Sequence, residues 1–354
     1  MRVLQVTPRY PPRTGGVETH VAEIAERLVE RGHEVTVLAA DAGRGVPDRE
    51  TRNGVEVRRF RGFAPGGAFH VAPGIARAVA RADPDVVHAH NYHSLPVAFA
   101  ALGASAASVL HGASDARFVV TPHYHGASAD PVRDRLLSLY RPLGGWALRR
   151  ADAVVAVSDW ERRRLRADFG VEATVIPNGL DVSRFADATP EDRDRPYLLC
   201  VGRLEEYKGV QHAVRALADL PEYDLLVAGS GDYRDELERL AREAGVADRV
   251  AFLGYVESDR LPGLYAGAEA YLALSVFESY GMTVAEALAS GTPCVVREAG
   301  ALVDWTDRAD CVGVESVAPE DVAAGVRAAV GRDAPDAALP TWDDVTERVL
   351  AVYR

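Results

Sequence analysis

The chain has 354 residues, and at roughly 150 residues per domain that length sets an expectation of two domains. Hydrophobic residues make up 48% and charged residues 26%, a balance that excludes wholesale disorder. The net charge of −12 argues against nucleic acid as a main partner, because an acidic chain repels phosphate polymers at long range.

Strand and helix patterns alternate from the start. Residues 2–6 read as a buried strand, followed by a loop with Pro8, Pro11, Pro12, Gly15 and Gly16. Val17, Val21, Ile24, Ala25 and Leu28 then recur at helical spacing, Gly32 ends the helix, and 34–39 is the next strand. This is a βαβ unit, which calls for a parallel sheet. Further strands are expected at 55–57, 86–89, 118–121, 153–157 and 174–176. Ser158 with Glu161 has the spacing of a capping box opening a helix to Phe169. The stretch 86–114 lacks Asp, Glu, Lys and Arg, but His88, His90, His93, Pro96 and Gly103 interrupt it. It reads as a buried strand and a small-residue helix rather than a membrane span.

Residues 186–196 turn polar and hold two prolines, so they are read as a linker between a first domain, 1–185, and a second, 197–340. In the second domain strands at 197–201, 224–228, 250–253, 270–274 and 294–296 alternate with helices at 210–218, 232–244, 259–266 and 283–289. Thr341 is placed to cap a last helix, 342–353, and the segment 341–354 is expected to pack back on the first domain. The fold class is therefore α/β, with two doubly wound parallel-sheet domains. Such sheets bind ligands outside the carboxyl ends of their strands, and the cleft between two of them is the default site.

Three cysteines, Cys200, Cys294 and Cys311, imply no disulfide framework and lack metal-site spacing. Met1 to Val6 is too short an apolar start for a signal peptide, and a soluble, cytoplasmic protein is expected. Of the 40 basic residues only Lys208 is a lysine. Many acids with almost no lysine suit a salt-rich cytoplasm and an acidic proteome, though a GC-rich genome also replaces Lys with Arg.

Three clusters carry chemistry. Gly15-Gly16 follows a strand and opens a helix, where free N–H groups can meet an anion; the dinucleotide pattern G-x-G-x-x-G is absent. Arg203 and Lys208 stand five positions apart after the strand 197–201, a fork and a point charge suited to phosphate oxygens. In a chain that uses arginine elsewhere, a retained lysine points to a need for lysine. The third cluster runs from Phe277 to Glu286. Glu278 is expected in the loop, Gly281 in a tight path, and Glu286 in the first helical turn, where an acid also favours the helix dipole.

Taken in order, these pieces resemble the retaining GT-B glycosyltransferases of family 4, known also as glycosyl transferases group 1. The resemblance rests on Gly15-Gly16-Val17-Glu18, on Val175-Ile176-Pro177-Asn178-Gly179-Leu180-Asp181 with Phe185, on Arg203 and Lys208, and on Glu278 and Glu286 in E-x7-E followed by Ala287, Gly291, Thr292 and Pro293. It implies two facing Rossmann-like domains with a cleft and transfer of a hexosyl unit from a nucleotide-diphosphate sugar. It implies that the amides of Gly15 and Gly16 and the side chains of Arg203 and Lys208 hold the diphosphate. Gly281, Met282 and Thr283 would complete the donor site, Glu286 would hold the ribose, and Glu278 a sugar hydroxyl. The family's sugar-side histidine maps to His123 or His125, and the T-x-H pattern favours His123. Residues 298–301, Glu-Ala-Gly-Ala, depart from the glycine pair frequent there.

Asp83-Pro84-Asp85 precedes a strand and reads as a turn, and Asp192-Arg193-Asp194 falls in the linker, so no obligatory metal is expected and no cofactor beyond the donor. Nine arginines between Arg133 and Arg166 face only Asp134, Asp152, Asp159 and Glu161. They are solvated helix faces or a docking patch for an anionic lipid surface at the inner membrane face or a phosphate-bearing acceptor. The acceptor class stays open among sugar, lipid-linked and small-molecule acceptors. The alternatives are another GT-B enzyme, a phosphorylase or epimerase, or a non-catalytic nucleotide-sugar binder. A phosphorylase using pyridoxal phosphate would need a Schiff-base lysine, and the one lysine is already assigned.

Overall fold

In the first strand of the computed structural model, β1 (Arg2–Thr7), all residues but the first are buried, so it lacks the apolar–polar alternation of a half-exposed strand and buries Gln5 and Thr7 beside its apolar residues. The structure describes residues 1–354 except 44, 65–68, 111–115, 129 and 334–337. The chain divides into two compact units, Met1–Gly179 with Trp342–Arg354, and Leu180–Thr341.

In the first unit β1 is followed by α1 (Gly16–Glu30), β2 (Glu34–Ala39), β3 (Arg49–Arg52), β4 (Val55–Arg59), α2 (Gly74–Arg81), β5 (Val86–His90), α3 (Pro96–Leu110), β6 (Arg117–Thr121), α4 (Pro131–Arg150), β7 (Ala153–Ala156), α5 (Asp159–Phe169) and β8 (Thr174–Val175). The sheet order is β3-β4-β2-β1-β5-β6-β7-β8, and β3 pairs antiparallel with β4 while β1 lies parallel between β2 and β5. The core packs Leu4, Val6, Val87, Ala89 and Val120 of the sheet against Val97 and Ala101 of α3 and Leu148 of α4. The uncharged stretch from residue 86 forms β5 and α3; its last part, 111–114, lies outside the described residues. No described helix is long and apolar enough to cross a membrane.

The second unit holds α6 (Val182–Ala186), β9 (Tyr197–Val201), α7 (Val210–Ala216), β10 (Asp224–Ala228), α8 (Arg234–Glu243), β11 (Val250–Gly254), α9 (Leu261–Ala266), β12 (Ala270–Ala273), α10 (Met282–Ala289), β13 (Cys294–Arg297), β14 (Cys311–Val314) and α11 (Pro319–Ala329). Its six strands run in the order β11-β10-β9-β12-β13-β14, and the pairings are parallel. The polar segment before β9 packs within this unit: Glu191 N–H donates to Gly263 O at 2.9 Å, and its carboxylate meets Arg260 at 2.8 Å.

The chain then returns to the first unit as α12 (Trp342–Tyr353), which packs along α1. Asp343 accepts from Arg31 at 2.6 Å, and the Trp342 ring stands edge-on to His20 at 5.8 Å. Asp83 and Asp85 sit in a turn before β5, bonded to Arg2.

Candidate active site

In the second unit β9 delivers the chain into a loop at its carboxyl end. Arg203 is exposed there and pairs with Glu205 at 2.6 Å. A single 3-10 turn, Glu206–Lys208, ends at Gly209, whose φ of 78° is left-handed. A Cβ on Gly209 would lie 2.1 Å from Leu274 O, so the backbone presses against the end of β12 at a place only glycine fits. That approach sets Lys208 beside the Glu278 loop, with Nζ 2.6 Å from Glu278 Oε1. Burial disfavours the Lys208 ammonium, but the Glu278 carboxylate outweighs it and the lysine pKa is raised, so the cation is held charged. The Tyr207 ring lies 5.4 Å from Lys208 Nζ and 5.9 Å from the Arg203 guanidinium. Sequence reasoning missed Tyr207, for which only its place between the two cations was a signal.

The loop carrying Glu278 is held from three sides. Val276 N–H donates to Tyr207 O at 2.9 Å, Ala301 N–H donates to Glu278 O at 3.0 Å, and Trp305 Nε1–H donates to Tyr280 O at 2.6 Å. Residues 298–301, where the sequence departs from the family pattern, thus back directly onto Glu278. Gly300 has φ 57°, and a Cβ there would come within 3.0 Å of Glu278 O. Gly281, at φ 99°, turns the chain into α10, whose first residues are Met282 and Thr283.

Gly202, Arg203, Lys208, Ser275, Glu278 and Thr283 line one pocket of about 400 Å³ with its mouth included. Gly281, Met282 and Glu286 stand outside that lining. Glu286 corrects an expectation: α10 begins at Met282, so Glu286 opens the second turn rather than lying in the first. Its carboxylate accepts from Tyr265 O–H at 2.8 Å, and burial pushes its pKa up to about 7.

The remaining expected site residues lie in the first unit. Gly15 caps α1 and Gly16 begins it. A Cβ on Gly15 would meet Glu18 Oε2 at 2.3 Å, because the buried Glu18 carboxylate folds back over the glycine loop and pairs with Arg9 at 2.5 Å. His123 follows β6, is buried, and has a positive φ of 48°. The next residue is anchored: Tyr124 N–H donates to Glu161 Oε1 at 2.5 Å, and Val157 N–H donates to Glu161 Oε2 at 2.6 Å. Ser158 caps α5 as its spacing implied, accepting from Glu161 N–H at 3.0 Å, but the Glu161 carboxylate serves this wider link. Burial pushes the Glu161 carboxyl up to about 8. His125 donates its backbone N–H to His93 Nε2 at 3.1 Å, and the two rings stack at 3.7 Å. His88 bonds Tyr353 O–H and Thr121 O–H, each at 2.8 Å. His20, on α1, stands edge-on to His123 with ring centroids 4.8 Å apart.

Known proteins bear on this arrangement directly. Residues 14–184 match the Glycosyltransferase Family 4 model, and residues 181–331 match Glycosyl transferases group 1. The glycogen synthase of Mycobacterium tuberculosis (strain ATCC 25618 / H37Rv) is 33% identical over 364 residues, covering 93% of this chain and 85% of its own. The chain belongs to the group 1 glycosyltransferases. It is an enzyme of EC 2.4 type, and its two parallel-sheet units are those of the GT-B fold. The transferase superposes on sucrose-phosphate synthase from Thermosynechococcus elongatus with a TM-score of 0.80 at 21% identity, over 100% of this chain and 98% of the other. HepE of Anabaena, in complex with UDP and glucose, matches with a TM-score of 0.76 at 18% identity, over 99% of both chains.

Proposed function

We propose that this transferase is a retaining enzyme that moves a hexosyl unit from a nucleoside-diphosphate sugar to an acceptor hydroxyl. The second unit is the donor side, and the first unit is the acceptor side. The observation that carries the reading is the Lys208–Glu278 contact at the pocket lined also by Arg203 and Thr283. A diphosphate needs fixed cations; a sugar needs a fixed carboxylate; here one of each is held in place by the other.

The roles follow from charge. As the bond from the anomeric carbon to the β-phosphate oxygen breaks, its electron pair goes to the phosphate. Arg203, Lys208 and the amides at Gly281, Met282 and Thr283 stabilise that growing charge more than the ground state. Gly15 and Gly16 offer further amides from the first unit. The acceptor oxygen bonds the anomeric carbon on the same face, and its proton passes to the departing phosphate oxygen. Glu278, engaged with Lys208, then holds a sugar hydroxyl instead of attacking carbon, while Glu286 accepts from the ribose and His123 meets the sugar. The bound UDP and glucose of HepE support a donor of this chemical class.

Incubation with a panel of nucleotide sugars tests this. Slow release of free nucleotide, lost in Glu278→Ala and Lys208→Ala, is the expected result. Tight binding with no turnover under any acceptor would instead mark a non-catalytic binder.

For the acceptor, a lipid-linked molecule reached from a membrane surface is favoured by α4. Val132, Leu139 and Leu143 are exposed at 66%, 74% and 39%. They recur at helical spacing, so they share a face with the exposed Arg135 and Arg150. Flotation at matched salt tests the contact; equal recovery with neutral and anionic vesicles would sink it.

A further inference from the structure

We propose that His20, His90 and His123 form a binding site for a first-row transition-metal cation. The three come from α1, the end of β5 and the segment after β6, and all are buried. Each offers one ring nitrogen to a group whose members lie within 4.8 Å of one another. A point therefore exists within about 2.8 Å of all three, and an inward shift of about 0.7 Å per ring reaches the ~2.0–2.1 Å of a zinc–imidazole bond.

The hydrogen bonds around the rings point the same way. His20 Nδ1 meets Asn178 Oδ1 at 2.8 Å, and His90 Nε2 meets Gln5 Oε1 at 2.5 Å. Amide oxygens accept, so these ring nitrogens carry the hydrogens and the opposite nitrogens keep their lone pairs. The Gln5 amide is itself oriented, donating Nε2–H to the Tyr353 hydroxyl oxygen at 3.3 Å. A ligand histidine whose far nitrogen is held by a carbonyl oxygen is the usual outer arrangement of a metal site. The other nitrogen of His90, Nδ1, and Nε2 of His123 are buried and have no hydrogen-bonding partner among the described residues. An orphaned buried polar atom calls for an explanation, and two beside a third imidazole have one in a shared cation. Burial also keeps all three rings neutral, the form that ligates.

Three imidazoles without a carboxylate suit zinc, cobalt, nickel or copper rather than magnesium or calcium. One coordination position stays open for water. Occupancy also has a functional consequence, which rests on the sugar-side role given to His123: a metal-bound His123 is withdrawn from the donor, so the cation inhibits transfer.

The test uses the metal-free full chain titrated with Co²⁺. The expected result is one equivalent bound, with the visible absorption of a tetrahedral cobalt centre, displaced by Zn²⁺. His20→Gln and His90→Gln should abolish it, Asn178→Ala should weaken it by about 10- to 100-fold, and His33→Gln should leave it intact. Cooperative unfolding of each variant confirms that it folds. Absence of the cobalt spectrum, or binding unchanged in His20→Gln and His90→Gln, overturns the site, as does a crystal structure with only water among the rings after soaking. Turnover of nucleotide sugar in the presence of chelator is read separately, so failure of the site leaves the transferase reading standing.

Discussion

Lys208 Nζ lies 2.6 Å from Glu278 Oε1, a contact that joins two segments 70 positions apart. It turns two separate motifs into one feature, a cation and a carboxylate that fix each other at the pocket. The slot is built for a compact head: both side chains are mostly covered, at 22% and 23% exposure. Lys208→Arg brings a larger planar fork that cannot keep the same point contact. We predict a loss of about 10²-fold in kcat/KM for the nucleotide sugar, on the scale of a lost charge-stabilising donor. Melting temperature is read alongside; an Arg variant with full activity would remove the case for the retained lysine.

Gly209 sets the position of that lysine. Alanine there must accept a φ of 78° and a Cβ 2.1 Å from Leu274 O. Strain of this kind costs about 1–3 kcal/mol, and relief by moving the backbone displaces Lys208. Gly209→Ala is expected to lower the melting temperature and donor affinity together. Calorimetric melting and nucleoside-diphosphate titration measure both.

The Glu286 carboxyl is raised to about 7, so between about 4.5 and 7 the folded chain binds more protons there than the unfolded one. Its contribution to stability is full below about 4.5 and is lost as pH rises through about 7. Glu286→Gln should therefore gain stability relative to the wild type between pH 5 and pH 8. Ionisation also makes Glu286 a better acceptor for ribose hydroxyls. Donor affinity of the wild type should tighten between pH 6 and pH 8 while that of Glu286→Gln stays flat. Parallel pH slopes in the two proteins would contradict the assignment.

Glu161 joins the residue after His123 to the start of α5 through two backbone N–H groups. Above about pH 8, where the Glu161 carboxyl is ionised and accepts through both oxygens, Glu161→Gln must turn an N–H towards one of those two groups, leaving buried donors facing each other. A loss of about 1–3 kcal/mol in stability is expected. With His123 in the proposed sugar-side role, the expected kinetic signature is a lower kcat with little change in donor KM, because the change displaces His123 and leaves Lys208 and Glu278 in place. A change confined to stability would reduce Glu161 to a structural brace.

Much of this was legible in the sequence, because buried parallel strands appear as short apolar runs and helices as periodic ones. β9 and β10 emerge with the bounds read from their composition. Besides α2, α4 and α6, some of the elements that escaped notice carry weak signals. β3 is Arg-Glu-Thr-Arg at a sheet edge; β14 spans four residues; and α11 is an alanine-rich helix opened by a proline. Among the expected site residues, spacing singled out Lys208 and Glu278 but not the contact between them, which depends on the Gly209 approach to the end of β12. Tyr265 has no motif and emerges only from packing, Tyr207 had only its place between two cations, and Glu161 was legible as a capping-box residue but not as the link to Tyr124 and Val157. Polar residues inside β5 explain the histidines: His88 and His90 are both buried there, so a run read as core also carries chemistry.

The reading that the Arg203–Lys208–Glu278 pocket receives the donor is open to direct observation. A crystal structure of the transferase with a nucleoside-diphosphate sugar tests it most directly. The expected result is phosphate oxygens within hydrogen-bonding distance of Lys208 Nζ and the Arg203 guanidinium, with a sugar hydroxyl on Glu278 and the ribose on Glu286. A donor bound elsewhere, with Lys208 and Glu278 still paired only to each other and Arg203 still on Glu205, would contradict it.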